Sequence, residues 1–541
     1  MHGSSSDTPG DTDDDNGRWY DKVDAILRRL RRFTARFPKL HAADRALGRI
    51  QIWLHLQWQL NRRRGEIFNR INLEPDEKIL IPKIWLAEVF TPSRSDDLRD
   101  QLRQTGWIQR LSPGHTVDQL DEWLEAQRQS KAFGSWRLIA TVHDHYNRNS
   151  LAYNPTTDRV PAEFSSVEIS AVSVSPSMTV VIAGFNITDA RQSFATELLN
   201  AEYPPRLVRR AGRRMVESGD WAKEMAVRAE RERLVSAASR WLRTRLRGSF
   251  ASFPSGRHPA LSLLITRTAN PAPPENEQSA PYLRALDLDS ISDRWRCREF
   301  PGLTLHRQRD SFWLPDLGDR HTLAGRMADA LPEEAYEGHG AARSSRSIGD
   351  ILEQYDVRNV VVVLAIDTLI GAYETSNAHT RDLARKTHQK WAIASSAQLR
   401  DSLLTSSLDV GSIAAEIGGE ENRLARGLRR HLLEFESFGI DKEIREQYQL
   451  STSLWDSKFA SQAEAIKELQ QEDSQLRSIL GTVASLNSAM ASSRLQRVAL
   501  FVALSSMTIA VLALLISNEF LDVGAVYRQF VTWFSANPQT P

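Results

Sequence analysis

His143, Asp144 and His145 stand just past a run that reads as a β-strand, Gly134 to Val142. Alternate residues of a strand point the same way, so both imidazoles could reach one metal ion. Such a site needs a third and a fourth ligand, and the sequence does not name them. His143 and His145 are therefore the candidate metal ligands, and a membrane-tethered, metal-dependent enzyme is the reading they carry. Cys297 lies between Arg296 and Arg298, which would lower its thiol pKa if the side chain met solvent. It is the single cysteine, which excludes an internal disulfide and a Cys-based zinc site. No G-x-x-x-x-G-K-[ST] loop, no G-x-G-x-x-G after a strand, no H-E-x-x-H and no G-x-S-x-G occur. No catalytic residue and no cofactor is assigned, and the chain reads as non-enzymatic. A further candidate is the basic stretch 206–214, with Arg206, Arg209, Arg210, Arg213 and Arg214, which could meet an anionic ligand or an acidic partner.

The elements that would position these groups follow from length and patterning. The chain has 541 residues, 41% hydrophobic and 25% charged, enough for several packed cores. Its 69 basic and 68 acidic residues leave a formal charge of +1, so no specific nucleic-acid binding is expected. Residues 1–17 are Ser-, Gly- and Asp-rich and read as a disordered acidic leader, without the apolar run of a secretory signal. Residues 18–75 have helical periodicity interrupted at Pro38. The first helix sets Val23, Ile26, Leu27, Leu30, Phe33 and Phe37 against an arginine-rich face, the pattern of a surface helix docked on the next with its arginines in water. Basic amphipathic helices of this kind can also lie on anionic membranes.

Residues 76–281 read as an α+β (or α/β) domain with a core of four to six strands. Within it, residues 79–90 and 134–142 are strands, and residues 167–174 and 178–187 flank the turn Ser175-Pro176-Ser177 as a hairpin. Pro82 implies a strand that starts after it or lies at a sheet edge. Residues 189–248 read as a helical insertion broken at Pro204-Pro205, with the 206–214 arginines on it. Residues 261–268 add a strand, and residues 269–281 are a linker by composition. Residues 282–441 are mixed and then mainly helical. The run 359–373 looks strand-like at Val360 to Val363 and helical beyond, and its apolar length suits a buried helix rather than a span.

From 442 to 497 there is no proline, and Leu469, Leu476, Ile479, Val483, Leu486 and Met490 form a short heptad seam, the mark of a stalk helix in a coiled-coil contact. The seam weakens before 469, where Gln462 and Trp455 take the same position. Its partner is either another chain or an earlier helix of this one. Residues 498–517 then give twenty uncharged residues, about the thickness of a bilayer core at 1.5 Å per residue. Arg494 and Arg497 flank the N-terminal side and Glu519 and Asp522 the other, placing the bulk of the chain on the cytoplasmic side of an inner (plasma) membrane. Ala499, Ala503, Ser506, Ala510, Ala513 and Ser517 recur on one face, a basis for homo-oligomers in lipid. Residues 518–541 form a short amphipathic tail, as in tail-anchored proteins.

Residues 442–519, a long helix running into a span near the C-terminus beneath a cytoplasmic α/β body, resemble the stalk and first span of CorA-type metal-ion transporters. The Gly-Met-Asn signature of that family is replaced by Ser517-Asn518-Glu519, and its second span is missing. The resemblance implies an oligomeric, stalked architecture; the loop that selects the ion is not carried over. The expected function is a membrane-anchored cytoplasmic sensor, effector or scaffold, bacterial in style, with an oligomeric CorA-like ion channel or transporter as the alternative.

Overall fold

The computed structural model describes residues 12–37, 40–62, 71–107, 117–129, 135–145, 155–203, 206–210, 213–253, 257–271, 280–288, 294–308, 320–355, 357–390, 393–417, 423–429, 431–437, 451–517 and 523–536. They fall into two compact units, Met1–Ser376 with Leu408–Leu469, and Asn377–Ser407 with Gln470–Pro541.

The first unit is mixed α+β. Its sheet has ten strands rather than four to six. In chain order these are β1 (Ile79–Phe90), β2 (Ser135–His143), β3 (Pro155–Thr157), β4 (Phe164–Ser175) and β5 (Met178–Ile187). After a separate hairpin, β6 (Arg206–Arg210) and β7 (Arg213–Glu217), come β8 (Ala260–Thr266), β9 (Arg294–Cys297), β10 (Leu303–Gln308), β11 (Arg320–Arg326) and β12 (Phe435–Ser437). The spatial order is β12-β9-β10-β11-β8-β1-β5-β4-β2-β3. Pairings are antiparallel except β8 with β11 and β2 with β3. The extra strands come from the stretch read only as mixed, because short strands rich in arginine lack the apolar alternation of β4 and β5.

β1 lies in the middle of the sheet, so Pro82 is neither before its strand nor at an edge. The ladder to β8 runs Leu80 to Ile265 and then Lys83 to Leu263, so residues 81 and 82 stand opposite one residue, a bulge that needs no N–H from Pro82. The basic stretch 206–214 is likewise not helical: it forms the β6–β7 hairpin, with Leu207 opposite Val216 and Val208 opposite Met215, a pairing β-branched and apolar residues favour.

Helices cover both sheet faces. One core joins Ile84, Leu86, Phe185 and Ile169 to helices α3 (Ser95–Gln104), α4 (Val117–Gln129), α6 (Phe194–Asn200) and α7 (Gly219–Arg245), with α5 (Asp189–Gln192) just before α6. The other joins Trp85, Val89, Val172 and Ile182 to α9 (Glu333–Gly338), α10 (Ser345–Gln354), α11 (Val357–Lys390), α12 (Ile393–Ile417) and α13 (Arg423–Arg429). α8 (Ser249–Ser252) contributes Phe250 to this second core. The Val360 to Val363 run is helical and fully buried in α11, so packing overrides its β-branched preference. At the N-terminus α1 (Thr12–Thr34) and α2 (His41–Arg62) pack on each other. α1 starts inside the stretch read as a disordered leader; the acidic run 13–15 is a composition helix first turns favour.

The last helices are α14 (Leu454–Ser517) and α15 (Val523–Ala536). Along α14, Trp455, Phe459, Gln462, Ile466, Leu469, Asp473 and Leu476 are all buried, spaced by four and three. The seam therefore extends before 469. Gln462 fits it by donating to the Val363 carbonyl (3.2 Å) and to Asp367 Oδ1 (2.5 Å). From Trp455 to Leu469 the partner is this chain's own core. In the second unit, Asp473 accepts from Ser407 and pairs with Arg477 at 2.6 Å, and Arg381 pairs with Glu472 at 3.3 Å. The side chains of Ile479, Val483, Leu486, Met490, Arg494 and Ser517 lie outside those described, as do the residues of the 272–279 part of the linker and those from 438 to 450.

Candidate functional site

The strongest chemical arrangement is one the sequence motifs did not point to. Lys83 of β1 is 1% exposed and faces three carboxyls: Glu168 of β4 (3.3 Å), Asp350 (3.3 Å) and Glu353 (3.1 Å) of α10. Two local distortions put it there. Without the bulge at residues 81 and 82, Lys83 would share a face with Ile79 and Ile81; with it, Lys83 shares the face of Trp85 and meets α10. β4 has a second shift between Phe164 and Ser166, which turns Ser166 and Glu168 to the same side. Cross-strand register then aligns Lys83 with Asn186 and, one row on, Trp85 with Gly184 and Gly184 with Glu168. On α10, Asp350 and Glu353 are three residues apart and so share a helix face.

The polar groups of the cluster are linked to one another. Trp85 Nε1 donates to Glu353 Oε1 at 2.7 Å, and Asn186 Nδ2 donates to Glu168 Oε1 at 3.1 Å and Ser166 Oγ at 3.0 Å. Gly184 leaves the space for the Glu353 head, since a Cβ there would sit 2.5 Å from Oε1. Burial alone would lower the Lys83 pKa, but the charges of Glu353, Glu168 and Asp350 reverse that and hold the ammonium firmly charged. Burial raises Glu353, and the neighbouring Glu168 charge adds to it against the pull of Lys83. Burial also acts on Glu168, but Lys83 and the hydrogen bonds from Glu353 and Asn186 hold its carboxyl well below the usual range. The two carboxyls are thus pushed in opposite directions, Glu353 toward its protonated form and Glu168 toward its charged form. Chemically this is an asymmetric acid pair in which Glu353 is the member that favours the proton.

The motif-based candidates fall differently. His145 is nearly wholly exposed beside Asp144. His143 is half-buried, and burial with the Arg346 charge lowers its pKa, partly offset by Glu168. Among the described residues no three His, Cys, Asp or Glu side chains converge to hold a metal ion. Cys297 is buried in the core, and burial pushes its thiol up to about 12, the reverse of the lowering expected for an exposed cysteine between arginines. The side chains of Arg206, Arg209, Arg210, Arg213 and Arg214 lie outside those described.

A Ser–His–carboxylate line also exists: Ser239 Oγ is 2.6 Å from His258 Nδ1, and His258 Nε2 is 3.0 Å from Glu88 Oε2. Glu88 spends its oxygens on the backbone N–H groups of Val89, Phe250 and Ala251, so it caps the turn after Gly248. Ser239 lies inside α7, where neighbouring N–H groups serve the helix and none is left for an oxyanion. This line is scaffold. A cavity of about 480 Å³ lined by Arg296, Thr304, Glu333 and Arg343 is likewise internally satisfied, Arg343 pairing with Glu333.

The missed residues had one signal in common. Lys83 and Glu88 are the charges of the mainly apolar β1 and Glu168 is the single charge of β4, and a buried charge is rare unless paired. The chain matches no protein-family model and no curated protein.

Proposed function

We propose that this chain is a single-pass membrane protein whose α+β body lies on the cytoplasmic side and acts as a sensor, effector or scaffold, self-associating through its stalk and span. The observation that carries the reading is on α14: Leu495–Leu515, 21 residues with a mean hydropathy of 2.5, has no residue buried in the protein. A soluble core helix of that composition would be covered; a span is covered by lipid. Arg494 and Arg497 before it favour the cytoplasmic orientation. Ala499, Ala503, Ser506, Ala510 and Ala513 are small residues on one face, suited to close helix approach. The channel reading gains no comparable support, since Ser505 and Thr508 turn their hydroxyls to the carbonyls of Phe501 and Leu504.

The test is carbonate extraction of membranes holding the full chain. The wild-type protein is expected in the pellet, with external protease leaving the body intact. A Leu504→Arg, Ala510→Arg variant, charged at about 2.5–3.5 kcal/mol per site near the bilayer centre, is expected in the supernatant. Extraction of the wild type by carbonate would overturn the anchor. An unchanged detergent-particle stoichiometry after removal of residues 498–541 would overturn self-association through the span.

A further inference from the structure

α1 carries a surface that its partner helix leaves open. It docks on α2 through polar groups: Tyr20 Oη lies 2.5 Å from His55 Nδ1, Gln51 Nε2 donates to Asp24 Oδ1 at 2.7 Å, and Arg31 pairs with Asp44 at 3.3 Å. Tyr20, Asp24, Leu27 and Thr34 are buried on that side. The aromatic and aliphatic stripe faces elsewhere. Trp19, Ile26, Leu30, Phe33 and Phe37 are between 45% and 58% exposed, and Phe33 packs its ring 5.2 Å from that of Phe37. The expected arrangement, apolar face docked and arginines in water, is thus half overturned: the arginines are in water, and so is the apolar stripe. At 100° per residue the four on the helix, Trp19, Ile26, Leu30 and Phe33, fall within an arc of about 60°, roughly a quarter turn from the α2-facing side, and Phe37 follows the helix end. Lys22 and Arg29 border that arc on one side and Arg36 follows in the turn after the helix.

We propose that this stripe is a membrane-surface site and that its occupant is the headgroup layer of an anionic leaflet. Charge complementarity selects it. A narrow apolar stripe of Trp, Phe, Leu and Ile edged by guanidinium and ammonium groups seats its rings at the acyl boundary and its cations on phosphates. A protein partner of ordinary surface would leave those cations unneutralised. The inference rests in part on the anchor reading, which supplies the bilayer. The body is then held at two points, by the span and by α1 lying flat, so lipid charge sets whether the body is pinned to the surface or free at the end of its stalk.

The experiment uses the full chain with Cys297→Ala, reconstituted in vesicles and labelled with an environment-sensitive fluorophore at Leu30→Cys or, on the far side of α1, at Asp21→Cys. In phosphatidylcholine vesicles with about a third phosphatidylglycerol, the position-30 probe is expected to shift blue and be quenched several-fold more by spin-labelled lipid than the position-21 probe. In pure phosphatidylcholine the difference is expected to shrink, and Arg29→Glu with Arg36→Glu to abolish it. Equal access of both probes to aqueous iodide in the anionic vesicles would overturn the proposal. So would protection of position 30 in detergent without lipid, which would assign the stripe to a second copy. Vesicle flotation of the same samples separates the two readings: a chain that floats with position 30 exposed defeats this inference alone, and one that does not float defeats both.

Discussion

Glu77, buried, and Glu353, half-buried, are carboxyls in the same α+β unit, held in opposite ways. Glu77, 3% exposed, accepts from the backbone N–H groups of Arg267 and Ala269 (both 2.7 Å), from Thr268 Oγ1 (2.6 Å) and from Tyr282 Oη (2.8 Å). Burial alone would raise its pKa, but these donors lower it on balance. The donors are fixed by the fold and do not titrate, so the charge is permanent and pins the β8 exit to the strand entering β1. Glu353 instead faces titratable side chains, and its charge depends on theirs. Backbone donors turn a buried carboxyl into scaffold; side-chain partners leave it conditional. That distinction, rather than burial as such, singles out the Lys83 cluster as the part of the body able to respond to its surroundings.

The same substitution should act with opposite sign at the two sites. Glu77→Gln removes a charge that several donors stabilise and turns an amide N–H₂ toward other donors. The expected loss at pH 7 is about 3 kcal/mol, read from chemical unfolding of the detergent-solubilised full chain. Because the folded pKa of Glu77 is depressed, its contribution is present above the ordinary carboxyl range and fades as pH falls through the folded value. The gap between variant and wild type should therefore narrow in acid. A gap that widens toward low pH would break the contrast.

How much of this was legible in the residues can be said element by element. β1, β4, β5 and the turn at Ser175-Pro176-Ser177 were readable because long apolar runs and turn residues are local signals. β9, β10 and β11 were not, since Arg294, Arg296, His306 and Arg320 obscure the alternation and their pairing is settled by distant partners. The β6–β7 hairpin was mistaken for helix because arginine has a good helix propensity, and only cross-strand pairing decides otherwise. Lys83 and Glu168 are 85 residues apart, so no spacing rule could join them; the bulge at Pro82 that brings them face to face was visible as a proline and misread as an edge. On α14 the stretch at Trp455 to Leu476 needed the structure to show its polar members, Gln462 and Asp473, inside the packed stripe. The long apolar helix at Leu495–Leu515 was plain from composition alone.

The next effect in size is Glu353→Gln. The folded pKa of this carboxyl is raised, so its protonated form is favoured in the native state. That contribution is full below the ordinary carboxyl pKa and is lost as pH rises toward the folded value, about 8. Wild-type stability should then fall with pH across that window, at most about 1.4 kcal/mol per unit, and the neutral amide should remove much of the slope. Measured at pH 5, 6.5 and 8, the variant is expected to match the wild type in acid and to exceed it by about 2 kcal/mol at pH 8. Parallel unfolding curves would show that the pair holds no proton and would place Glu353 with Glu77 as scaffold.

The smallest effect sharpens the same point within one cluster. Asp350 lies as close to Lys83 Nζ as Glu168 does, 3.3 Å, yet its side chain is 48% exposed against 13% for Glu353. Solvent screens a pair at that exposure, so Asp350→Asn should cost less than about 1 kcal/mol and, unlike Glu353→Gln, should leave the pH dependence of unfolding unchanged. The cost should also shrink in molar salt, where the Debye length falls to about 3 Å, whereas the Glu353 effect should shrink less because its side chain is only 13% exposed. If Asp350→Asn instead flattened the pH dependence, the proton would reside at the rim of the cluster, and the buried carboxyl pair would not be the group that titrates.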